Sequence, residues 1–365
     1  MISAREVAAA ALLSLPRATP SRLRTIISVC GGSTSAVSAI RDGSIFELSP
    51  LTPIDVIGGW QRNIDIAYEA ARLVLERRGT RVLIYDDVDW PIMSSADSMP
   101  TMLFAEGDGF EVLTRPRIAV VGTRQPTPHG AADAREIGCH LADAGAVVVS
   151  GLAYGIDARA HDGAIRANGL TIGVAGTGLD IPYPAGNTDL WAGVRAHGII
   201  VGENAFGTLP SKQIFPVRNR IIAGLVSAVV IVEAAARGGA MHTAKAALAL
   251  GLPIYAVPGS RRNPMAEGCN QLIADGAIPL IDPVDIALAI SNASVSCRPV
   301  TLKQTALCAL TSDARTVFLA LGGEPASLEQ VVSRTNLALA EAAGATRELE
   351  RAGRLTRSRG RLWPM

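Results

Sequence analysis

The sequence has few aromatic residues, little charge and few cysteines. Aromatic side chains make up 4% of the 365 residues and charged ones 18%, and the formal net charge is +1. A net charge so close to zero produces no global field to attract a polyanion, so any nucleic-acid site must be local. The five cysteines are scattered and form no CxxC pair or Cys/His cluster, which excludes a zinc motif and is typical of a reduced, cytoplasmic protein.

Several signatures of other protein classes are also missing. No apolar run is longer than a buried strand, which predicts that the chain does not span a membrane. The apolar segment 8–13 is preceded by Glu6 beside Arg5, which argues against a signal peptide. The chain lacks GxGxxG, GxxxxGK[ST] and GxSxG, so a dinucleotide site, a Walker-type ATPase and a hydrolase triad are not expected. The acidic run at 86–89 lacks the Gly and Glu of a calcium loop, and no metal site is predicted.

What the sequence does contain is an alternation of strand-like and helix-like segments between about residues 117 and 290. This pattern predicts an α/β fold with a Rossmann-like, doubly wound, mostly parallel sheet. The predicted strands are 81–85, 118–121, 146–149, 171–174, 199–201, 229–232, 254–257 and 278–281. Pro279 lacks an amide hydrogen, so the last strand is expected at a sheet edge. Ligands bind such sheets at the carboxyl ends of the strands.

The length and the composition predict four successive regions. Residues 1–62 are expected to form a helical module of the SAM or helix-hairpin-helix kind, and residues 63–290 form the extended core. Residues 291–312 are polar and aperiodic, which is typical of a linker. Residues 313–365 predict three helices and a hairpin, the composition of a winged helix.

The stretch 212–225 is the strongest candidate for a binding site. Lys212 precedes Phe215 by three residues, and Arg218, Asn219 and Arg220 follow where a helix should begin. Permanent cations next to an aromatic ring suit an anionic ligand with a π face, such as nucleic acid. The alternative is that both arginines pair with acidic neighbours in a structural network, and the sequence alone leaves the two readings equally open.

The loops that follow the strands supply further candidates. The loop 122–130 offers backbone donors and one cation, Arg124, which together suit a single phosphate. Asp157 and His161 lie one helical turn apart, as an acid/base pair would, but a cap and a loop contact explain them better because no nucleophile lies nearby. The small residues around Gly239 permit a close backbone approach, and Thr243 could bind phosphate.

The order of the loop motifs resembles that of the DNA-processing protein A (DprA/Smf) family over roughly residues 65–290. The motifs are GTRQPTPHG, SGLAYGIDARAH, GTGLDIPYPAGN, FPVRNRIIAGL, VEAAARGGAMHTA, AVPG and GCNQLIADGA. The resemblance implies a cytoplasmic, dimeric protein that binds single-stranded DNA, uses no cofactor and is not an established enzyme. It also implies that the protein protects incoming single strands in natural transformation and loads the RecA recombinase onto them.

The family's DNA pocket matches Arg124, Lys212 with Phe215, and the two arginines of the RNR motif. The predicted DNA-binding residues are Gly122, Thr123, Arg124, Ser150, Gly151, Gly155, Lys212, Phe215, Arg218, Asn219, Arg220, Gly239, Thr243 and Asn270. A secondary contact is predicted for four arginines of the C-terminal hairpin, although a solvated face would explain them equally well. These arginines are Arg354, Arg357, Arg359 and Arg361.

Two departures from the family pattern weaken the case for side-chain phosphate contacts. Residues 238–241 read Gly-Gly-Ala-Met where the family often has Ser-Gly-Ser-Leu, and Gly202 replaces a usual serine. The rival reading is an enzyme of the nucleotide phosphoribohydrolase type, whose PGGxGTxxE loop is similar to Gly238–Thr243. That chemistry needs a carboxylate just after the threonine, and residues 244–246 supply none. A repurposed relative that senses nucleotides or binds a partner protein is a third possibility.

Overall fold

The protein forms two compact units, Met1–Ser294 and Val295–Met365. The computed structural model describes residues 2–48, 52–87, 90–92, 99–286, 311, 313–314, 316–317, 327–335, 337–351, 355–358 and 361–364.

The first unit begins with helices whose ends follow from local sequence. They are α1 (Ala4–Leu13), α2 (Pro20–Cys30), α3 (Ser33–Asp42), α4 (Ile45–Leu48) and α5 (Ile54–Arg78). Ser3 and Glu6 form a capping box on α1, and Gly31 ends α2 in the left-handed region with a φ of 74°. Helix α5 is continuous across residues 62 and 63, where the sequence suggested a domain boundary, and both sides belong to the same unit.

The core of this unit is a nine-stranded, mostly parallel sheet. The strands are β1 (Arg81–Ile84), β2 (Met102–Gly107), β3 (Arg117–Val121), β4 (Val147–Ser150), β5 (Thr171–Val174), β6 (Gly198–Gly202), β7 (Ala228–Ile231), β8 (Ile254–Ala256) and β9 (Ile278–Pro279). Their order is β1-β2-β6-β5-β4-β3-β7-β8-β9, and the pairs β1–β2 and β2–β6 are antiparallel. The predicted Rossmann-like α/β sheet is confirmed, and Pro279 lies on the edge strand β9 as expected.

Strand β2 was not predicted. Five of its six residues are buried in succession, so it shows no alternation of polar and apolar positions. It also follows a proline-containing segment that reads as a turn. A short apolar run of this kind becomes recognisable as a strand only when its partners, β1 and β6, are known.

Helices cover both faces of the sheet. They are α6 (Pro128–Asp143), α7 (Ile156–Arg166), α8 (Thr188–Ala196), α9 (Ile214–Gly224), α10 (Ala240–Ala249) and α11 (Glu267–Ala274). On β3, Ile118 and Val120 pack with α6 and α7, whereas Ala119 and Val121 pack in the cluster that contains α9, α10 and α11. Successive strand residues point to opposite faces, so a strand buried on both faces is apolar throughout.

The sheet topology fixes where a ligand can bind. From β3 the chain proceeds through β4 and β5 to β6 on one side, and then returns to place β7 on the other side of β3. The carboxyl ends of β3 and β7 therefore lie next to each other where the strand order reverses. In open α/β sheets this position leaves a crevice for a ligand.

The second unit contains two helices and a hairpin among its described residues. These elements are α12 (Leu328–Thr335), α13 (Leu339–Arg351), β10 (Leu355–Ser358) and β11 (Arg361–Pro364), and the strands pair antiparallel. Residues 313–314 and 316–317 are also helical. Apart from Thr311, the expected linker 291–312 lies outside the described residues.

Among the described helices, none by itself combines the length and the apolar character of a membrane span. Helices α2 and α3 meet that test only together, as a pair bent by 88°.

Candidate nucleic-acid interface

A cleft of about 710 Å³ opens at the carboxyl ends of β3 and β7. Its walls come from the loops after the parallel strands β3 to β7 and from helices α9 and α10, and the loop after β6 contributes Lys212. Nine of the predicted DNA-binding residues line it, namely Gly122, Thr123, Arg124, Lys212, Phe215, Arg218, Asn219, Gly239 and Thr243. The topology thus gathers segments that are more than 100 residues apart in the sequence.

Two exposed cations lie at this cleft. Arg124 follows β3 and Lys212 precedes α9, and neither has a carboxylate within salt-bridge distance in the part of the chain that the structure describes. The Arg124 guanidinium lies 5.3 Å from the centroid of the Phe215 ring. Unpaired cations at the rim of a concave surface attract phosphate, and a neighbouring ring adds a π face.

Arg218 has a different environment, because it is buried. Its Nη1 donates to the carbonyl of Gly151 at 2.6 Å and to the carbonyl of Val174. Burial lowers the pKa of Arg218 to about 10, which leaves the side chain charged at neutral pH. Arg218 therefore ties α9 to the ends of β4 and β5 while it lines the cleft, and the nearby charge of Asp157 opposes the effect of burial on its pKa.

Gly151 and Gly155 are needed for close packing under the cleft. A Cβ at Gly151 would lie 2.5 Å from Nη2 of Arg218 and 2.7 Å from Oδ2 of Asp157. Gly155 has a φ of 80°, and a Cβ there would lie 2.3 Å from the carbonyl oxygen of Thr123. Both positions therefore serve the geometry of the cleft through the absence of a side chain.

The three remaining predicted residues, Arg220, Asn270 and Ser150, do not line the cleft and have partners within the protein. Arg220 forms a salt bridge of 2.5 Å with Glu203, which corresponds to the structural network that the sequence left open. Asn270 bonds both backbone groups of Gly259, and Ser150 is buried and donates to the carbonyl of Val120. Asn219 lines the cleft and donates to the carbonyl of Gly239 at 3.3 Å.

The loop after β3 uses most of the backbone donors that made it a candidate phosphate site. The amide of Thr123 donates to the Glu233 carbonyl at 2.7 Å, and the amide of Thr127 donates to the Glu233 carboxylate at 2.8 Å. The side chain of Thr127 caps α6 through Gly130. Since an acidic group already occupies the N-terminus of α6, the loop is best suited to contribute the side chain of Arg124.

Helix α10, unlike α6, has no side-chain cap at its N-terminus. Its N-cap residue is Gly239, and both Gly239 and Ala240 line the cleft. The first amides of a helix carry partial positive charge, so this end favours an anion. The amides of Gly238, Met241 and His242 already donate to backbone carbonyls, so the backbone contribution of this loop is limited to the amides of Gly239 and Ala240.

Asp157 and His161 are not placed for acid/base catalysis. The carboxylate of Asp157 accepts from the Gly151 amide at 3.1 Å, and burial raises its pKa although the charge of Arg218 opposes this. His161 has no exposed surface, and its Nδ1 lies 2.7 Å from the hydroxyl of Thr171. Burial lowers the pKa of His161 to about 3, so the ring is neutral near pH 7. A structural role for this pair was expected, but its details were wrong, because Gly155 rather than Asp157 is the N-cap of α7 and His161 contacts a strand residue, Thr171, rather than a loop.

Among the other titratable groups of the described chain, His242 lines the cleft and is exposed, but no carboxylate is hydrogen-bonded to it. Burial raises the pKa of the Cys269 thiol to about 12, which keeps it protonated. Within the described residues, no group of three or more His, Cys, Asp or Glu side chains is arranged to hold a metal ion.

The secondary site predicted in the C-terminal hairpin lies largely outside the described residues. This is true of Arg354 and Arg359, and for Arg357 and Arg361 only the backbone strands are described. Their contact with DNA stays a prediction.

Sequence reasoning missed the tyrosines beside Phe215. Tyr183, from the loop after β5, stacks on Phe215 with ring centroids 5.2 Å apart and an interplanar angle of 28°. Tyr154, from the loop after β4, lines a small pocket together with Tyr183, Phe215 and Arg124, which we call the niche. The signal available in the sequence was an aromatic residue in each of two loops that follow parallel strands.

Comparison with known proteins agrees with this architecture. A family model for DNA recombination-mediator protein A matches residues 81–291, and a model for the DprA winged helix domain matches residues 302–361. Protein Smf from Synechocystis sp. is 34% identical over 78% of this chain and 80% of its own length.

Two solved structures are also similar. The X-ray structure of DNA processing protein A from Streptococcus pneumoniae has a TM-score of 0.64 at 30% identity and covers 78% of this chain and 97% of its own. A structure that concerns the single-stranded DNA binding mode of DNA processing protein A from Helicobacter pylori has a TM-score of 0.53 at 27% identity. It covers 59% of this chain and 96% of its own. The chain therefore belongs to the DNA recombination-mediator protein A (DprA/Smf) family, as the order of its loop motifs predicted.

Proposed function

We propose that the protein binds single-stranded DNA in the cleft between β3 and β7 without breaking a bond in it. The observation that carries this proposal is that two exposed cations, Arg124 and Lys212, line the same cleft as the stacked rings of Phe215 and Tyr183. Cations hold the phosphates, and aromatic rings hold bases whose faces are free. In a duplex those faces are stacked on one another, so the arrangement favours an unpaired strand.

The chemistry of the cleft supports binding over catalysis. The carboxylates nearest to it, those of Asp157 and Glu233, are buried and accept hydrogen bonds from the protein itself. His161 is buried and neutral. A general acid or base must reach the substrate within hydrogen-bond distance and be free to exchange a proton. Asp157 lines the cleft, but its carboxylate is already bonded by the Gly151 amide, and His242, an exposed histidine there, has no carboxylate partner among the described residues.

We further propose that the protein protects incoming single strands in natural transformation and loads the RecA recombinase onto them. It does so in the cytoplasm as a homodimer. Membership of a family described as recombination mediators supports this role. Strand exchange by RecA on DNA coated with a single-strand-binding protein tests the loading step, because a mediator shortens the lag. Light scattering tests the dimer.

The rival function is nucleotide phosphoribohydrolysis on a similar sheet. Thr243 lines the cleft, but Ala244, Lys245 and Ala246 follow it and provide no carboxylate. An assay for free base released from nucleoside monophosphates distinguishes the two functions, and we expect no release.

Direct binding tests the main proposal. Fluorescence anisotropy with labelled oligodeoxythymidylate and a duplex of equal length, at salt from about 50 to 200 mM, should show tighter binding of the single strand and a loss of affinity as salt rises. A protein that ignores oligodeoxythymidylate at the lowest salt, or that prefers the duplex, would contradict the proposal.

A further inference from the structure

We propose that Tyr183 and Tyr154 form an aromatic platform on which bases of the bound strand stack, next to the phosphate-binding cleft. This inference rests on the proposed function and specifies which rings hold the bases. The ligand class is a single-stranded polynucleotide, recognised through its base faces and without sequence preference.

The first argument is that Phe215 already has partners. The Tyr183 ring stacks on it with centroids 5.2 Å apart, and the Arg124 guanidinium lies 5.3 Å from its centroid. Phe215 is itself only partly exposed, so much of its π surface is in contact with protein groups. The ring that continues this stack toward solvent is Tyr183, which is 36% exposed.

The second argument is the exposure of Tyr154. It is 46% exposed and lines one niche together with Tyr183, Phe215 and Arg124. The loop after β5 leaves room for it, because a Cβ at Gly186 would lie 2.5 Å from the Tyr154 hydroxyl. Two amphipathic rings from neighbouring strand ends are therefore presented at the same site.

The third argument concerns which ligand fits. Exposed aromatic rings beside unpaired cations match a polymer that alternates flat bases with phosphates. A strand held by Arg124 and Lys212 at its phosphates would place adjacent bases within reach of the tyrosines, since Arg124 belongs both to the cleft and to the niche. The platform would thus extend the site from the carboxyl end of β3 toward β4 and β5.

The test separates base stacking from phosphate contacts. Anisotropy is measured with oligodeoxythymidylate and with an oligonucleotide of equal length in which consecutive bases are replaced by abasic tetrahydrofuran residues. The variants are Tyr183→Leu, which keeps an apolar contact with Phe215, Tyr183→Phe, Tyr154→Ala and, as a control on α5 away from the cleft, Tyr68→Ala.

The wild type should bind the abasic strand about tenfold or more weakly, within the range expected when stacking is lost. Tyr183→Leu and Tyr154→Ala should lose much of that discrimination while their affinity for the abasic strand stays at the wild-type value. Tyr183→Phe and Tyr68→Ala should behave as the wild type.

A 2-aminopurine base in the strand gives a second readout. Its fluorescence should be quenched in the wild-type complex and restored in the Tyr183→Leu complex. Full discrimination and quenching in both Tyr183→Leu and Tyr154→Ala, or a wild type that does not distinguish the two strands, would overturn the platform but leave phosphate-driven binding intact. A wild type that binds neither strand would instead contradict the proposed function.

Discussion

Arg124 and Arg218 both line the cleft but have different surroundings. Arg124 is exposed at the cleft rim, whereas Arg218 is buried and donates to the carbonyls of Gly151 and Val174. A guanidinium has five donors, so one buried side chain can hold two strand ends in place. We therefore expect Arg124 to make the phosphate contact, whereas Arg218 forms part of the cleft wall and holds the strand ends.

At the residue scale, we expect Arg124→Ala to weaken binding of oligodeoxythymidylate about tenfold, because a hydrogen bond to a charged group contributes about 1.5–3 kcal/mol. The slope of log K against log salt should become less steep by about 0.7, the value for one phosphate contact on a single strand. Anisotropy titrations at several salt concentrations measure both quantities.

The matched control is Arg77→Ala, which removes an exposed arginine from α5 that does not line the cleft. Its affinity and its slope should equal those of the wild type. Equal losses in both variants would mean that the positive charge acts nonspecifically and that Arg124 is not a contact.

At the scale of elements, strand β2 depends on one buried carboxylate. Glu106 accepts from Arg78 and Thr80 at 2.7 Å and from Arg195 at 3.0 Å, so it joins β2 to α5 and α8. Burial by itself would raise the pKa of Glu106, but the hydrogen bonds from Arg78 and Thr80 hold that pKa below its usual range. The carboxylate is therefore ionised and paired near neutral pH.

We expect Glu106→Gln to lower the free energy of unfolding by about 3 kcal/mol, because it leaves two partly buried arginines without their counter-ion. The folded-state pKa of Glu106 is depressed, so its contribution is present above the unfolded-state pKa and is lost as the pH falls below it. Urea unfolding at pH 7 and at pH 4 measures the difference, which should be larger at pH 7.

Glu69→Gln is the matched control for Glu106→Gln. Glu69 pairs with Arg72 on the exposed face of α5, and such surface pairs contribute less than about 1 kcal/mol. If both variants lost the same stability, the buried cluster would not be what anchors β2.

At the scale of the whole molecule, the chain folds as two units, and the cleft lies entirely within the first. The winged helix carries basic residues of its own, whereas the lining residues named above all belong to the first unit. Its removal should therefore leave the main site in place.

We expect deletion of residues 313–365 to weaken single-strand binding less than tenfold, a smaller effect than that of the double variant Arg124→Ala/Lys212→Ala. Anisotropy with oligodeoxythymidylate measures both proteins under the same salt. Complete loss of binding after the deletion would show that the second unit holds the principal site.

Much of the fold was predictable because burial leaves a direct pattern in the chain. The runs at 118–121 and 229–232 are continuously apolar since both faces of the sheet are covered, and Pro279 indicated an edge strand. Strand β2 was not predictable, because its short run has no periodicity of its own. At the site, the sequence identified Lys212 and Phe215 but could not say which neighbouring rings stack on Phe215.

The sequence by itself determined the alternation of strands and helices, the family and the set of cations and small residues at the strand ends, because residue type and local spacing express propensity and burial directly. The tertiary structure alone decided which of those residues are exposed at the cleft and which bind other parts of the protein. It buried Arg218, paired Arg220 with Glu203, filled the α6 N-terminus with Glu233 and stacked Tyr183 on Phe215. These contacts join residues far apart in the chain, and only the strand order brings them within bonding distance.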